Sequence, residues 1–137
     1  MDDGTLCIRI CRQLARLPGW VFREDGTDYL ASEVALFVGA IDPTPDRAIG
    51  VRVYGTTDDD VAERRVQLRI RGAKNQPLSA DRMADLAFTV LHGLSRVGGI
   101  NDIRRISMTP LGSDTNGREE RTENYQIILD NPEASSS

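Results

Sequence analysis

The stretch RRVQLRIRGAKNQP, Arg64 to Pro77, restricts the fold more tightly than any other part of this chain. Arg65, Gln67, Arg69 and Arg71 alternate with Val66, Leu68 and Ile70, and a period of two sends the two sets to opposite faces of an extended strand. The aliphatic face needs a cover. The arginine face needs water, an anion or a partner. A sheet covered on one side by helices meets both demands.

The remaining segments supply those helices and further strands. From Leu6 to Leu17, Leu6, Ile10, Leu14 and Leu17 recur at helical spacing opposite Arg9, Arg12, Gln13 and Arg16, with Thr5 as the expected cap and Pro18-Gly19 as the stop. GWVFRED reads as a short strand. EVALFVGAI is nearly apolar from Val34 to Ile41 and belongs inside a sheet or under a cover, and Pro43 and Pro45 then break the chain. IGVRVYG is a third strand, joined to the arginine strand through TTDDDVAE as a hairpin with a long acidic excursion.

Ser79 is the expected cap of a helix reaching about Arg96, its buried face carrying Met83, Leu86, Ala87, Val90, Leu91 and Leu94, and Gly98-Gly99 ends it. IRRISMTPLG and ERTENYQIIL read as a terminal hairpin. Ile106 and Met108 share one face of its first strand, and Tyr125, Ile127 and Leu129 share one face of the second. The order describes an α+β single domain, residues 1–129, with an antiparallel or mixed β-sheet and two α-helices packed on one face. The polar ending, residues 130–137, is expected to be disordered.

With 137 residues and 39% hydrophobic composition, the chain has material for one core. Seventeen Lys plus Arg against 21 Asp plus Glu leave a formal charge of -4, which argues against a whole-molecule attraction to nucleic acid but leaves room for a local basic patch. Lys74 is the only lysine, so the other cations are forked guanidiniums. The opening MDDGTLCIRIC, interrupted by Arg9 and Arg12, supports neither a signal peptide nor a membrane span.

Reactive chemistry finds little support. Cys7 and Cys11 lie one helical turn apart with no further Cys or His to complete a metal site, so buried, reduced helix cysteines are expected and no metal is. His92, the only histidine, falls among helix residues, where a core-edge or surface place outweighs a role as catalytic base. A small hydrolase built around it has no GxSxG elbow in support. Asp58, Asp59 and Asp60 are consecutive, unlike the alternating oxygens of a calcium loop, and read as a solvated turn. VGGIND follows a helix and lacks the P-loop pattern. Neither catalytic residues nor a cofactor is expected.

The arginine face of Arg65, Gln67, Arg69 and Arg71 admits two readings. Its span of roughly 20 Å, at ~3.3 Å per residue, could follow several phosphates, with Arg104 and Arg105 as additional cations. Yet no aromatic residue interleaves it for stacking on bases. The other reading is a ladder paired with acids of a neighbouring strand or subunit, which the acidic balance favours.

The ordered combination also resembles a known family. VRVYG, an acidic spacer, RRVQLRIRG and the helix SADRMADLAFTVLHGL resemble the minor capsid or tail-terminator (head–tail joining) proteins of long-tailed bacteriophages, in which a VQxxxRG strand enters an AxxLAxxVxxxL helix. Val66-Gln67 through Arg71-Gly72, and Ala84 through Leu94, occupy those places. The resemblance covers most of Thr5 to Leu129.

It implies a structural virion protein assembled in the host cytoplasm, with no enzymatic activity, cofactor or membrane. Such proteins form a ring, commonly hexameric, that caps the tail tube, stops its growth and joins it to head-completion or connector proteins, with DNA passing through the lumen. On that reading Arg65, Gln67, Arg69 and Arg71 form an oligomer interface with Asp58, Asp59 and Asp60 as candidate partners.

Overall fold

The computed structural model describes residues 1–130, so most of the polar ending expected to be disordered, from 131 onward, lies outside the described residues. The elements are α1 (Asp3–Leu14), β1 (Trp20–Phe22), β2 (Val34–Val38), β3 (Ala48–Asp58), β4 (Ala62–Lys74), α2 (Ser79–Leu91), β5 (Ile100–Ser113) and β6 (Arg118–Leu129). One six-stranded sheet takes them in the order β1-β2-β3-β4-β6-β5. The first three strands are parallel, and every later pairing is antiparallel. The sheet is therefore mixed, and the domain is α+β as its element order predicts.

Both helices lie on one face. α1 packs on β2 and β3, α2 packs on β4 and β6, and the helices touch each other. Leu6, Ile10 and Leu14 of α1 meet Leu36, Ile49, Val51, Val66, Leu68, Ile70 and Ile127 in one buried cluster. Each such side chain contributes about 1.5–3 kcal/mol through the apolar surface it removes from water. The alternation that defined β4 is thus realised, with Val66, Leu68 and Ile70 inside. At its end Gly72 lets α2 start close to the strand, for a Cβ there would stand 2.7 Å from the Ala80 nitrogen.

Several details differ from the sequence reading. The cap of α1 is Asp2, whose carboxylate accepts from the Thr5 N–H at 2.7 Å, and the helix ends at Leu14. Leu78 occupies the N-cap position of α2, while the Ser79 hydroxyl accepts from the Ala73 N–H at 2.8 Å and ties helix to strand. α2 stops at Leu91, short of Arg96, and the Gly93 N–H turns to the Ile103 carbonyl.

Leu86 is 45% exposed instead of buried, because the inward stripe is Met83, Ala84, Ala87 and Leu91. The acidic excursion is shorter than expected, since β3 and β4 remain paired out to Asp58 and Ala62 and leave a three-residue tip.

Candidate functional site

The strand register fixes two ends of the molecule. Trp20, Val34, Ala48 and Arg71 mark one end, and Asp58 pairs with Ala62 at the other. Ten residue steps along β3 separate them, about 33 Å at ~3.3 Å per step. The hairpin tip Asp59–Val61 therefore stands far from the end where α2 begins.

The sheet face away from the helices is uncovered and polar. Gln67 Nε2 donates to Asn124 Oδ1 at 3.3 Å, and Asn124 Nδ2 donates to Ser107 Oγ at 2.9 Å, making a row across β4, β6 and β5. Arg69 and Arg65 flank it. Arg69 Nε reaches Glu120 Oε1 at 3.0 Å, Arg65 Nε reaches Glu63 Oε1 at 3.4 Å, and on β5 Arg104 Nε reaches Asp102 Oδ2 at 2.9 Å. Arg65, Arg69 and Arg104 thus each have a carboxylate in their own chain, on their own strand or the next. Arg52 of β3 is exposed and has no ion pair among the described residues.

Arg71 departs from this set. Although its Cα shares their parity, the side chain is buried and donates at 2.8 Å to the carbonyls of Asp42, Pro45 and Asp46. Arg118 comes from β6 to the same loop, donating to the Pro43 carbonyl at 2.8 Å and pairing with Asp114 at 2.7 Å. Burial, then the neighbouring Arg118, lowers the Arg71 pKa. Two guanidiniums therefore pin the 42–46 loop, a role no sequence pattern announces because the partners are backbone carbonyls.

The acidic tip also divides. Asp58 Oδ1 accepts from Arg64 Nη1 at 2.6 Å, and Arg64 Nε donates to Asp3 at 3.0 Å, tying the hairpin root to the start of α1. Asp59 and Asp60 are exposed beyond that anchor, make no ion pair among the described residues, and precede Val61, which is 51% exposed.

His92, Cys7 and Cys11 take structural places. His92 Nδ1 accepts from the Arg105 N–H at 3.2 Å, its ring stacks on Phe88, and the Arg105 guanidinium lies 4.2 Å from the Phe88 centroid. Cys7 and Cys11 are free and buried, and burial pushes the Cys11 thiol up to about 12. Among the described residues, no group of three or more His, Cys, Asp or Glu could hold a metal ion. No helix there is long and apolar enough to cross a membrane.

Glu123 was not singled out by the sequence. It is buried on β6, taking Arg121 at 3.0 Å and Arg105 at 3.4 Å on Oε1, while Oε2 has no partner among the described residues. Desolvation raises its pKa against the pull of both arginines. Arg121 also reaches Asp81 at 2.6 Å, so the buried acid is linked to α2.

These features define an α+β domain whose distinctive surfaces are an open polar sheet face and an acidic hairpin tip. Residues 17–131 match the bacteriophage tail terminator protein family, and the chain belongs to that family. It is a structural protein of the phage tail and a virion component, as the strand–helix resemblance implied. A chain in the virion of a native gene transfer agent particle is similar in fold, with a TM-score of 0.59 at 9% identity over 94% of this chain and 92% of that one.

Proposed function

We propose that this protein closes into a ring on the end of the tail tube, stops the tube's growth and joins it to the head-completion proteins. Six copies are the expected number, and DNA passes through the lumen without sequence-specific contact. Family membership carries this reading. The uncovered sheet face and the hairpin tip support it, because both offer polar, partner-ready surface that the chain's own core does not use.

The role is non-enzymatic and needs no cofactor. Arg65, Gln67 and Arg69 on the sheet face, and Asp59 and Asp60 at the tip, are the surfaces offered to neighbouring subunits, while Asp58 is held at the root by Arg64. Arg71 belongs with the fold, since its donors are committed to the 42–46 loop. A nucleic-acid-binding module built on Arg65, Arg69 and Arg71 is the weaker alternative. Glu63 and Glu120 already neutralise the first two, and Arg71 is buried.

Mass determination with negative-stain imaging, alone and with purified tail tubes, tests the proposal. Closed rings seated on tube ends are expected. A chain that stays monomeric, leaves tube ends bare and binds DNA in a salt-dependent manner overturns it.

A further inference from the structure

At the end of the molecule opposite the hairpin tip lies a groove of about 490 Å³. Trp20, Met83 and Leu86 line it, the first two almost wholly buried and Leu86 half-exposed, and Arg47 and Arg82 are among the residues around it. Leu86 is the α2 residue that the core leaves half-exposed. Among the described residues Arg82 makes no ion pair, and the Arg47 side chain donates to the Ser32 carbonyl alone. The groove thus presents a half-exposed leucine beside two guanidiniums that have no carboxylate partner among the described residues, a pattern complementary to an apolar side chain flanked by acids.

The hairpin tip has the inverse pattern. Val61 is exposed beside Asp59 and Asp60, and Asp58 is held at the root by Arg64. We infer that the tip Asp59–Val61 of one copy seats in the Arg47/Arg82 groove of the next copy, Val61 against Leu86 and the two carboxylates against the two guanidiniums. This rests on the ring reading and names a contact that builds the ring.

Geometry favours a second copy as the occupant. Tip and groove stand at opposite ends of the strands, about 33 Å apart along β3 at ~3.3 Å per residue, so a chain cannot fill its own groove. A contact between two different patches is heterologous: it makes a ring when its rotation closes and a filament when it does not, where a self-complementary patch would stop at a dimer. The charges set partner and register, and the Val61–Leu86 contact removes apolar surface from water.

Reciprocal charge reversal tests the contact. The pair Asp59→Arg/Asp60→Arg and the pair Arg47→Asp/Arg82→Asp each place like charges at the joint, and each alone is expected to weaken ring formation at least about tenfold. Circular dichroism and the denaturation midpoint check that each variant is folded. Mixed in equal amounts, the two variants regain opposite charges at every joint, so rings containing both chains in alternation are expected. A Val61→Cys/Leu86→Cys chain is expected to form intermolecular disulfide ladders under oxidation.

Rings of normal yield from both charge variants, with no ladder from the cysteine chain, overturn this contact and leave the ring reading standing. Normal rings that no longer seat on tube ends assign the groove to another virion protein and overturn it too. A wild-type chain that makes no closed assembly, either alone or on tubes, overturns both.

Discussion

Arg69 Nε donates to Glu120 Oε1 at 3.0 Å, diagonally across the β4–β6 pairing, where Arg69 itself stands opposite Thr122. The arginine face that the sequence advertises is therefore a paired surface before any partner arrives. The Arg69 side chain is half-exposed, so solvent screens the interaction. A double-mutant cycle with Arg69→Ala and Glu120→Ala, read by urea denaturation, is expected to give a coupling of about 0.2–1 kcal/mol. A coupling above about 2 kcal/mol would mean the pair is a structural determinant of the fold.

The two leucines of α2 separate core from surface. Leu91→Ala is expected to cost about 2–5 kcal/mol, through lost burial and a cavity that collapses only in part. Leu86→Ala is expected to cost about 1 kcal/mol or less in the isolated chain, because its side chain is half-exposed. Chemical denaturation of both variants checks the contrast, and equal losses would place Leu86 in the core after all.

Arg71 holds the 42–46 loop through three backbone carbonyls. Arg71→Ala leaves those acceptors without their charged donor and is expected to cost on the order of 2–4 kcal/mol. Arg71→Lys cannot reproduce the forked geometry and should restore less than half of the loss. Hydrogen exchange at Asp46 and Arg47 is expected to accelerate in both variants. Unchanged exchange would show that Arg118 alone pins the loop.

How far the sequence reached depends on the range of the interaction. Val66, Leu68 and Ile70 were legible as inward because alternation is a local property of a strand, and Tyr125, Ile127 and Leu129 for the same reason. Leu86 was misplaced because a broad helical face does not say which part of it meets the sheet. Small Ala84 and Ala87 sit centrally where α2 lies close, and Leu86 falls to the side. Arg71 looked identical to Arg69 in the repeat, yet a loop about 25 residues upstream claims it. The caps shifted within one turn, since Asp2 and Thr5 are both competent at the start of α1.

Glu123 gives a pH signature opposite in sign to that of the paired surface carboxylates. Burial raises its folded pKa above the ordinary value of 4.5. Its stabilising contribution is therefore fully present below the unfolded pKa and lost as pH rises through the folded one. Asp114, held low chiefly by the Arg118 N–H, behaves in reverse: its contribution is present above the unfolded pKa and lost as pH falls through the folded value. Denaturation between about pH 4 and pH 8 is expected to show wild type losing stability relative to Glu123→Gln as pH rises. A flat difference would show that Arg105 and Arg121 fully compensate the buried charge.

The most direct test of the central claim is the length distribution of tail tubes assembled with and without this protein. Tubes of one uniform length, each ending in a closed ring of this chain, are expected when it is present. Overlong tubes of variable length are expected when it is withheld. Uniform tubes of normal length in its absence would contradict the assignment of tail termination to this chain.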